Sequence, residues 1–105
     1  MKPLLTLLAA TLFALPALAG GLPKGTVVRI EGSGIESGWH QGKITVTSEG
    51  CTMVALDKPT KDGYTLIALI ATRRLERQQS GAWRDVPVKS LQAQEPKMCL
   101  EAGAD

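Results

Sequence analysis

The sequence has few of the side chains on which catalytic and metal sites depend. It contains one histidine, two cysteines and one tyrosine, and aromatic residues make up 4% of its 105 positions. The single histidine, His40, cannot supply a zinc triad by itself, and no acidic residue stands at the spacing of a metalloprotease motif. No serine lies in a nucleophile-elbow pattern, and no strand carries paired carboxylates on one face. We therefore expect no enzyme, no cofactor and no metal site.

The charge is nearly balanced. Lysine and arginine together number 12 and the acidic residues 10, and Lys2 lies in a segment that we expect to be removed. The mature chain would then carry a net charge of about +1. A balance this even gives no indication of nucleic-acid binding or of attraction to a membrane surface.

The N-terminal segment has the pattern of a secretory signal peptide. Lys2 provides a positive start, residues 4–15 form an apolar run, and residues 17–19 form a small-x-small cleavage site. The apolar run is too short for a membrane anchor, and no cysteine follows it that could carry a lipid. We expect a signal peptide at 1–19, no membrane span after cleavage, and a periplasmic or secreted location.

The two cysteines, Cys51 and Cys99, indicate a disulfide, because paired cysteines in an exported chain oxidise. Closing a loop of this length stabilises a folded domain by about 4 kcal/mol in the chain-entropy treatment. The whole stability of such a small domain is often only ~5 kcal/mol, so the bridge would be decisive. It would tie a C-terminal tail, residues 93–105, to the middle of the sheet.

Most of the remaining mature chain has the pattern of short β-strands separated by turn residues. Apolar and β-branched side chains alternate with polar ones, and Val28 and Ile30 fall on one face of the first strand. Short glycine-containing turns between such segments predict antiparallel hairpins. The segments with this pattern are 26–31, 44–47 and 51–56.

The stretch that begins at Tyr64 is the most informative. Residues 64–79 predict one long central strand, although their leucine, alanine, arginine and glutamine content leaves a helix as the alternative. The Asp-Gly turn before this stretch and its β-branched positions favour the strand. A turn at 80–81 and a shorter strand over 82–87 would follow, and 88–91 would form one 3₁₀ turn.

This pattern resembles an SH3-like barrel. A glycine-rich loop precedes the second strand, and the residues that carry the resemblance are Trp39-x-x-Gly42-Lys43-Ile44 and Val86-Pro87-x-x-x-Leu91. The Gly-Trp opening is also similar to Tudor-type members. The resemblance covers residues 25–92 and implies an all-β fold, a small five-stranded antiparallel barrel over 20–92 with one 3₁₀ turn. The motifs are turn and packing signals, so the resemblance does not specify an activity.

The chain departs from these families in its aromatic content. SH3 domains bind proline-rich peptides in an aromatic groove, and Tudor-type cages need several converging aromatics. The mature chain has only Trp39, Tyr64 and Trp83. Bacterial SH3-like domains of exported proteins bind cell-wall peptide and are the closest analogue by compartment. The resemblance therefore implies a non-catalytic module for a protein, peptide or cell-wall ligand.

We expect the ligand to contact loop 32–42 and the aromatic side chains. The candidate ligand-binding residues are Trp39, His40, Tyr64 and Trp83. Tryptophan is enriched at interfaces but also fills small cores, and Trp39 is expected to be the more exposed indole because it ends a glycine-rich loop. A basic cluster around the last hairpin is either an anion site or a charged edge that prevents strand association; its members are Arg73, Arg74, Arg77 and Arg84.

Two further functions stay open. The soft side chains of Cys51, Met53, Met98 and Cys99 could bind copper(I) if both thiols were reduced. A small disulfide-bonded barrel could also be a secreted enzyme inhibitor, although no residue singles out that function.

Overall fold

Antiparallel β-sheet is the main regular structure of residues 21–104, which are the residues that the computed structural model describes. A 3₁₀ turn, Leu69–Ala71, and two α-helices, α1 (Val88–Ala93) and α2 (Lys97–Ala104), accompany the sheet. The predicted signal peptide lies outside the described residues. The strands are β1 (Val27–Gly32), β2 (His40–Val46), β3 (Thr52–Leu56), β4 (Leu66–Ala68), β5 (Thr72–Gln79) and β6 (Ala82–Val86), in the order β4-β3-β2-β1-β5-β6.

One face of the sheet forms the core. Val28 and Ile30 of β1 have no exposed surface, which confirms the face predicted from their alternation in the sequence. Burial of an aliphatic side chain of this kind stabilises the fold by about 1.5–3 kcal/mol. The core residues come from every strand and from the 3₁₀ turn: Val28, Ile30, Ile44, Val54, Ile67, Leu69, Leu75 and Val86.

The first strand is central because it pairs on both edges. It runs antiparallel to β2, which follows it, and to β5, which lies more than forty positions further along the chain. Ile30 lies opposite Leu75, so the two halves of the sequence meet in one apolar row. The register shifts after Glu31, where Gly32 pairs with Thr72, and Arg73 is left as an extra residue in β5.

The predicted central strand over 64–79 is interrupted. Residues 66–68 and 72–79 are strands, as expected against the helical alternative, but the 3₁₀ turn separates them. An unbroken strand of this length would extend roughly 50 Å, whereas the strands around it have five to seven residues. The turn lets the chain leave the edge beside β3 and pair with β1. The sheet consequently has six strands instead of the expected five.

The predicted 3₁₀ turn at 88–91 is instead the start of α1. The Leu91 amide donates to the Pro87 carbonyl in the α-helical pattern, and the helix continues to Ala93. The Gln92 side chain explains this extension, because its Nε2 donates to the Leu69 carbonyl at 3.0 Å and to the Thr72 carbonyl at 2.9 Å. The tail, for which no helix was predicted, contains α2.

The predicted disulfide is confirmed. Cys51, immediately before β3, is bonded to Cys99 of α2, with their Cα atoms 5.7 Å apart. A hydrogen bond supports the same connection, because the Thr52 amide donates to Glu95 Oε1 at 2.9 Å. The C-terminal segment is therefore held against β3 by one covalent bond and one polar contact.

Replacement of both cysteines by serine should lower the free energy of unfolding by about 4 kcal/mol, since the unfolded chain regains the freedom that the closed loop denies it. Urea denaturation without reductant would measure the difference. Reductant should lower the midpoint of the wild-type protein and leave that of the double variant unchanged. Equal urea midpoints for the wild-type protein and the double variant without reductant would contradict this expectation.

Gly42 permits β2 and β3 to approach each other closely. A Cβ atom at this position would lie 2.9 Å from the Ala55 carbonyl carbon and 3.0 Å from Leu56 Cα. Both of these are backbone atoms of the paired strand, so they cannot move aside without breaking the ladder. The sheet thus requires the glycine of the Trp39-x-x-Gly42 motif.

The substitution Gly42→Ala should destabilise the domain by about 2–4 kcal/mol, because the added methyl group forces the two strands apart. Thermal unfolding followed by circular dichroism would measure the loss. Gln41→Ala is the matched control, since Gln41 is the exposed neighbour on the same strand, and it should change stability by less than about 0.5 kcal/mol. If the two variants unfolded at the same temperature, the close approach would not matter for stability.

Candidate functional site

The outer face of the sheet carries a row of indoles and guanidinium groups. Arg29 of β1 lies between two tryptophans, with its guanidinium carbon 4.6 Å from the Trp39 ring centroid and 4.7 Å from that of Trp83. Arg74 of β5 lies 4.9 Å from the Trp39 centroid. These separations are those of cation–π contacts. We call Arg29, Trp39, Arg74 and Trp83 the Trp–Arg row.

Strand alternation places this row opposite the core. Arg29 lies between two buried core residues of β1 and therefore points to the other face. Its cross-strand partners are Gln41 of β2 and Glu76 of β5. Trp39 lies just before β2, and Trp83 lies on β6, which pairs with β5. The two indoles therefore reach the guanidinium from opposite sides of β1. Residues far apart in the sequence thus meet because β1 is central.

Two carboxylates hold the guanidinium groups in place. Arg29 Nε donates to Glu76 Oε1 at 2.7 Å, and Arg74 Nη1 donates to Glu31 Oε1 at 3.0 Å. The Arg29 and Glu76 side chains are 28% and 17% exposed, so solvent screens this pair less than a surface pair. The Arg74 side chain is 60% exposed and keeps donors that face solvent.

Trp39 is the accessible end of the row. It is 36% exposed, whereas Trp83 is half-buried. This confirms the prediction that Trp39 is the more exposed of the two indoles. Trp39 also forms one wall of a cavity with a volume of about 520 Å³. The cavity is lined by an aromatic side chain, charges of both signs and a proline: Trp39, His40, Gln41, Asp57, Lys58 and Pro59.

Hydrogen bonds fix the loop between β1 and β2, which carries Trp39 at its end. The Ser33 amide donates to the Ala71 carbonyl at 2.8 Å, and the Lys61 amide donates to Glu36 Oε2 at 2.8 Å. His40 Nε2 donates to the Glu36 carbonyl oxygen at 3.0 Å. The amide of Glu36 itself, followed by that of Lys61, lowers the pKa of the Glu36 carboxyl below its ordinary 4.5.

The four predicted ligand-binding residues do not form one site. Trp39 and Trp83 meet through Arg29, whereas the His40 ring is bonded to the loop backbone. Tyr64 is 54% exposed but lines a separate cavity of about 250 Å³, together with Ile35 and other residues of the loop and of β4. Loop 32–42 therefore contributes residues to two cavities, and the Trp–Arg row adjoins only one of them.

The four arginines predicted as an anion site are divided between locations. Arg74 belongs to the Trp–Arg row on the outer face. Arg77 and Arg84 lie opposite each other on the core side of the last hairpin, and Arg73 is the exposed extra residue of β5. The sequence grouped these residues around one hairpin, whereas the structure divides them between its two faces and the extra residue of β5.

Sequence reasoning did not single out Arg29, the residue at the centre of the row. Arg29 and Glu31 lie on the face of β1 opposite the predicted core residues Val28 and Ile30. The missing information was the pairing of β1 with β5, which brings Glu76 and Arg74 beside it. A positively charged side chain between the two core residues Val28 and Ile30 was the available signal.

A groove beside the disulfide contains all four sulfur side chains of the described residues. It has a volume of about 420 Å³. Cys51, Met53, Met98 and Cys99 line it, together with residues of β3, the 3₁₀ turn and the adjoining loops. Within the described chain both cysteines are oxidised and none is free. The copper alternative required two reduced thiols, so only the thioethers remain as soft ligands. No cluster of three or more His, Cys, Asp or Glu able to hold a metal occurs within residues 21–104.

No protein-family model, curated protein or solved structure matches this chain. The helices of the described region are all too short or too polar to cross a membrane. The geometry of the Trp–Arg row and its neighbouring cavity is consequently the basis for the functional inference.

Replacement of Arg29 by methionine should destabilise the domain by about 1–2 kcal/mol. Methionine keeps the apolar stem, but Glu76 loses its cation and both indoles lose a cation–π contact. Urea denaturation would measure the loss, and near-ultraviolet circular dichroism would report the changed tryptophan surroundings. Arg73→Met, at an exposed position outside the row, should cost less than about 0.5 kcal/mol. Identical urea midpoints for the two variants would show that the row does not stabilise the sheet.

Proposed function

We propose that the protein is a non-catalytic binding module of the bacterial envelope or secreted fraction. Its ligand is a peptide segment, belonging to a partner protein or to the cell wall, that contacts Trp39 and the cavity beside it. The observation that carries this proposal is an exposed indole fixed in orientation by two guanidinium groups at the mouth of a cavity.

An SH3-like barrel is the fold that we propose for this module. Strand β1 joins β2 on one side and β5 on the other, and a 3₁₀ turn separates β4 from β5. The apolar face is buried although only two short helices accompany the sheet. Curling of the sheet over its own face would account for that burial, and this is the support for the proposed barrel.

Export from the cytoplasm is proposed on two grounds. The N-terminal pattern is that of a signal peptide, and the Cys51–Cys99 disulfide suits an oxidising compartment. These two observations together support a periplasmic or secreted location.

The exposed groups at the site indicate the chemistry of the ligand. Trp39 offers a flat apolar surface that needs no rearrangement, since Arg29 and Arg74 already hold it. Arg74 offers guanidinium donors for a carboxylate or a peptide carbonyl. Asp57 and Lys58 on the cavity wall add one charge of each sign. A peptide that places an apolar side chain beside an acidic group fits these features.

The copper and inhibitor functions are less well supported. Copper binding by Cys51, Met53, Met98 and Cys99 would first require reduction of the disulfide. Inhibition of a secreted enzyme stays a prediction that no described feature favours.

The proposal is tested by capture of ligands from an envelope extract with the wild-type protein and with Trp39→Ala. Removal of a central indole from an interface costs about 2 kcal/mol or more, so the captured peptide should bind the variant about thirtyfold more weakly by calorimetry. Met98→Ala is the control, since Met98 is also exposed but lines the sulfur groove. Equal recovery by wild type and a folded Trp39→Ala variant would count against this surface.

A further inference from the structure

The last hairpin carries two arginines directly opposite each other. Arg77 of β5 pairs with Arg84 of β6, and Arg77 also pairs with Val28 of β1. Val28 is completely buried, so the two arginines lie on the face of the sheet that carries the core. The preceding row on that face is apolar and buried: Ile30, Leu75 and Val86.

No carboxylate of the hairpin offsets the two positive charges. Its acidic residues, Glu76 and Asp85, lie opposite each other. Each is the sequence neighbour of one of the two arginines, so both acidic side chains lie on the outer face. Like charges directly opposite in an antiparallel sheet destabilise it. Among side chains of residues 21–100, the ion pairs join Arg29 to Glu76 and Arg74 to Glu31 and include neither Arg77 nor Arg84.

Arg77 has a second unusual feature. Its Nε atom is buried and has no hydrogen-bond partner among the described residues. Buried N–H groups nearly always have an acceptor, because an unmet donor costs its full desolvation. An acceptor group supplied by a ligand would offset the repulsion between the two guanidinium groups. Nε itself has almost no accessible surface, so it would meet such an acceptor only if the Arg77 side chain moved.

We propose that Arg77 and Arg84 form a binding site for a phosphate group. Each guanidinium presents a planar fork of N–H donors. A phosphate group has enough oxygens to accept from two forks at once, whereas a carboxylate has only two oxygens. The site lies on the sheet face opposite the Trp–Arg row, so it does not depend on the peptide function proposed above.

The test compares thermal unfolding in sodium phosphate and in sodium chloride of equal ionic strength. Ligand that binds only the folded state raises the unfolding temperature, so phosphate should stabilise the wild-type protein more than chloride does. Arg84→Gln should lose this difference, and its affinity for phosphate by calorimetry should fall about tenfold or more. Arg77→Gln should behave likewise. Arg73→Gln is the control that keeps the full effect.

The same experiment distinguishes phosphate binding from a general salt effect and from a purely structural role of the arginines. Phosphate stabilises many proteins through exclusion from their surfaces, and an equal gain for wild type, Arg84→Gln and Arg77→Gln would overturn the proposal. If the arginines had only a structural role, Arg84→Gln would be less stable in chloride. We expect it to be at least as stable as wild type, because the repulsion is removed.

The phosphate group could belong to a soluble molecule or to a phospholipid headgroup. If the wild-type protein sedimented with phosphatidylglycerol vesicles but not with phosphatidylcholine vesicles, and Arg84→Gln did not sediment, the ligand would be a phospholipid headgroup. Phosphate-dependent stabilisation without sedimentation would assign a soluble phosphate compound.

Discussion

The pairing of β1 with β5 is the constraint on which the other features depend. It places Ile30 opposite Leu75 on one face and Arg29 opposite Glu76 on the other. The first pair closes the core, and the second creates the Trp–Arg row. Loss of this pairing would divide the sheet into a four-stranded part and a hairpin, with neither able to bury its apolar face. Pairing of strands so far apart in the sequence costs conformational entropy, because a long loop must be closed. Burial of the apolar row is the main contribution to the free energy of folding that offsets this cost.

Local features could be predicted from the sequence because they depend on neighbouring residues. The alternation around Val28 and Ile30, the turn at 80–81 and the paired cysteines each have a local signal, and each prediction is confirmed. The break at Leu69–Ala71 had no such signal, because no glycine, proline or other turn residue marks it. Its cause is tertiary: Leu69 is buried, and the Gln92 side chain binds its carbonyl group. The composition of the Trp–Arg row depends on long-range register, which periodicity alone cannot supply.

The register of the last hairpin explains why two arginines face each other. Ser80 and Gly81 both have positive φ angles, 53° and 79°, as in the two-residue turns that fix hairpin register. A shift of the strand register by one residue in one direction would place Arg77 opposite Asp85, and a shift in the other direction would place Glu76 opposite Arg84. Either shift would form an ion pair. Each shift would also separate Leu75 from Val86, which now pair in the core.

The magnitudes show which of these effects decides the register. Burial of one aliphatic side chain contributes about 1.5–3 kcal/mol, whereas an exposed ion pair contributes about 0–1 kcal/mol. The apolar pair therefore determines the register, and the facing arginines follow from it. Packing explains why Leu75 and Val86 meet, but it does not require that both positions in the next row be arginine. Glutamine or threonine at either position would keep the hairpin and avoid the repulsion. The two facing charges are therefore unexplained by packing, and the phosphate group proposed above would offset them.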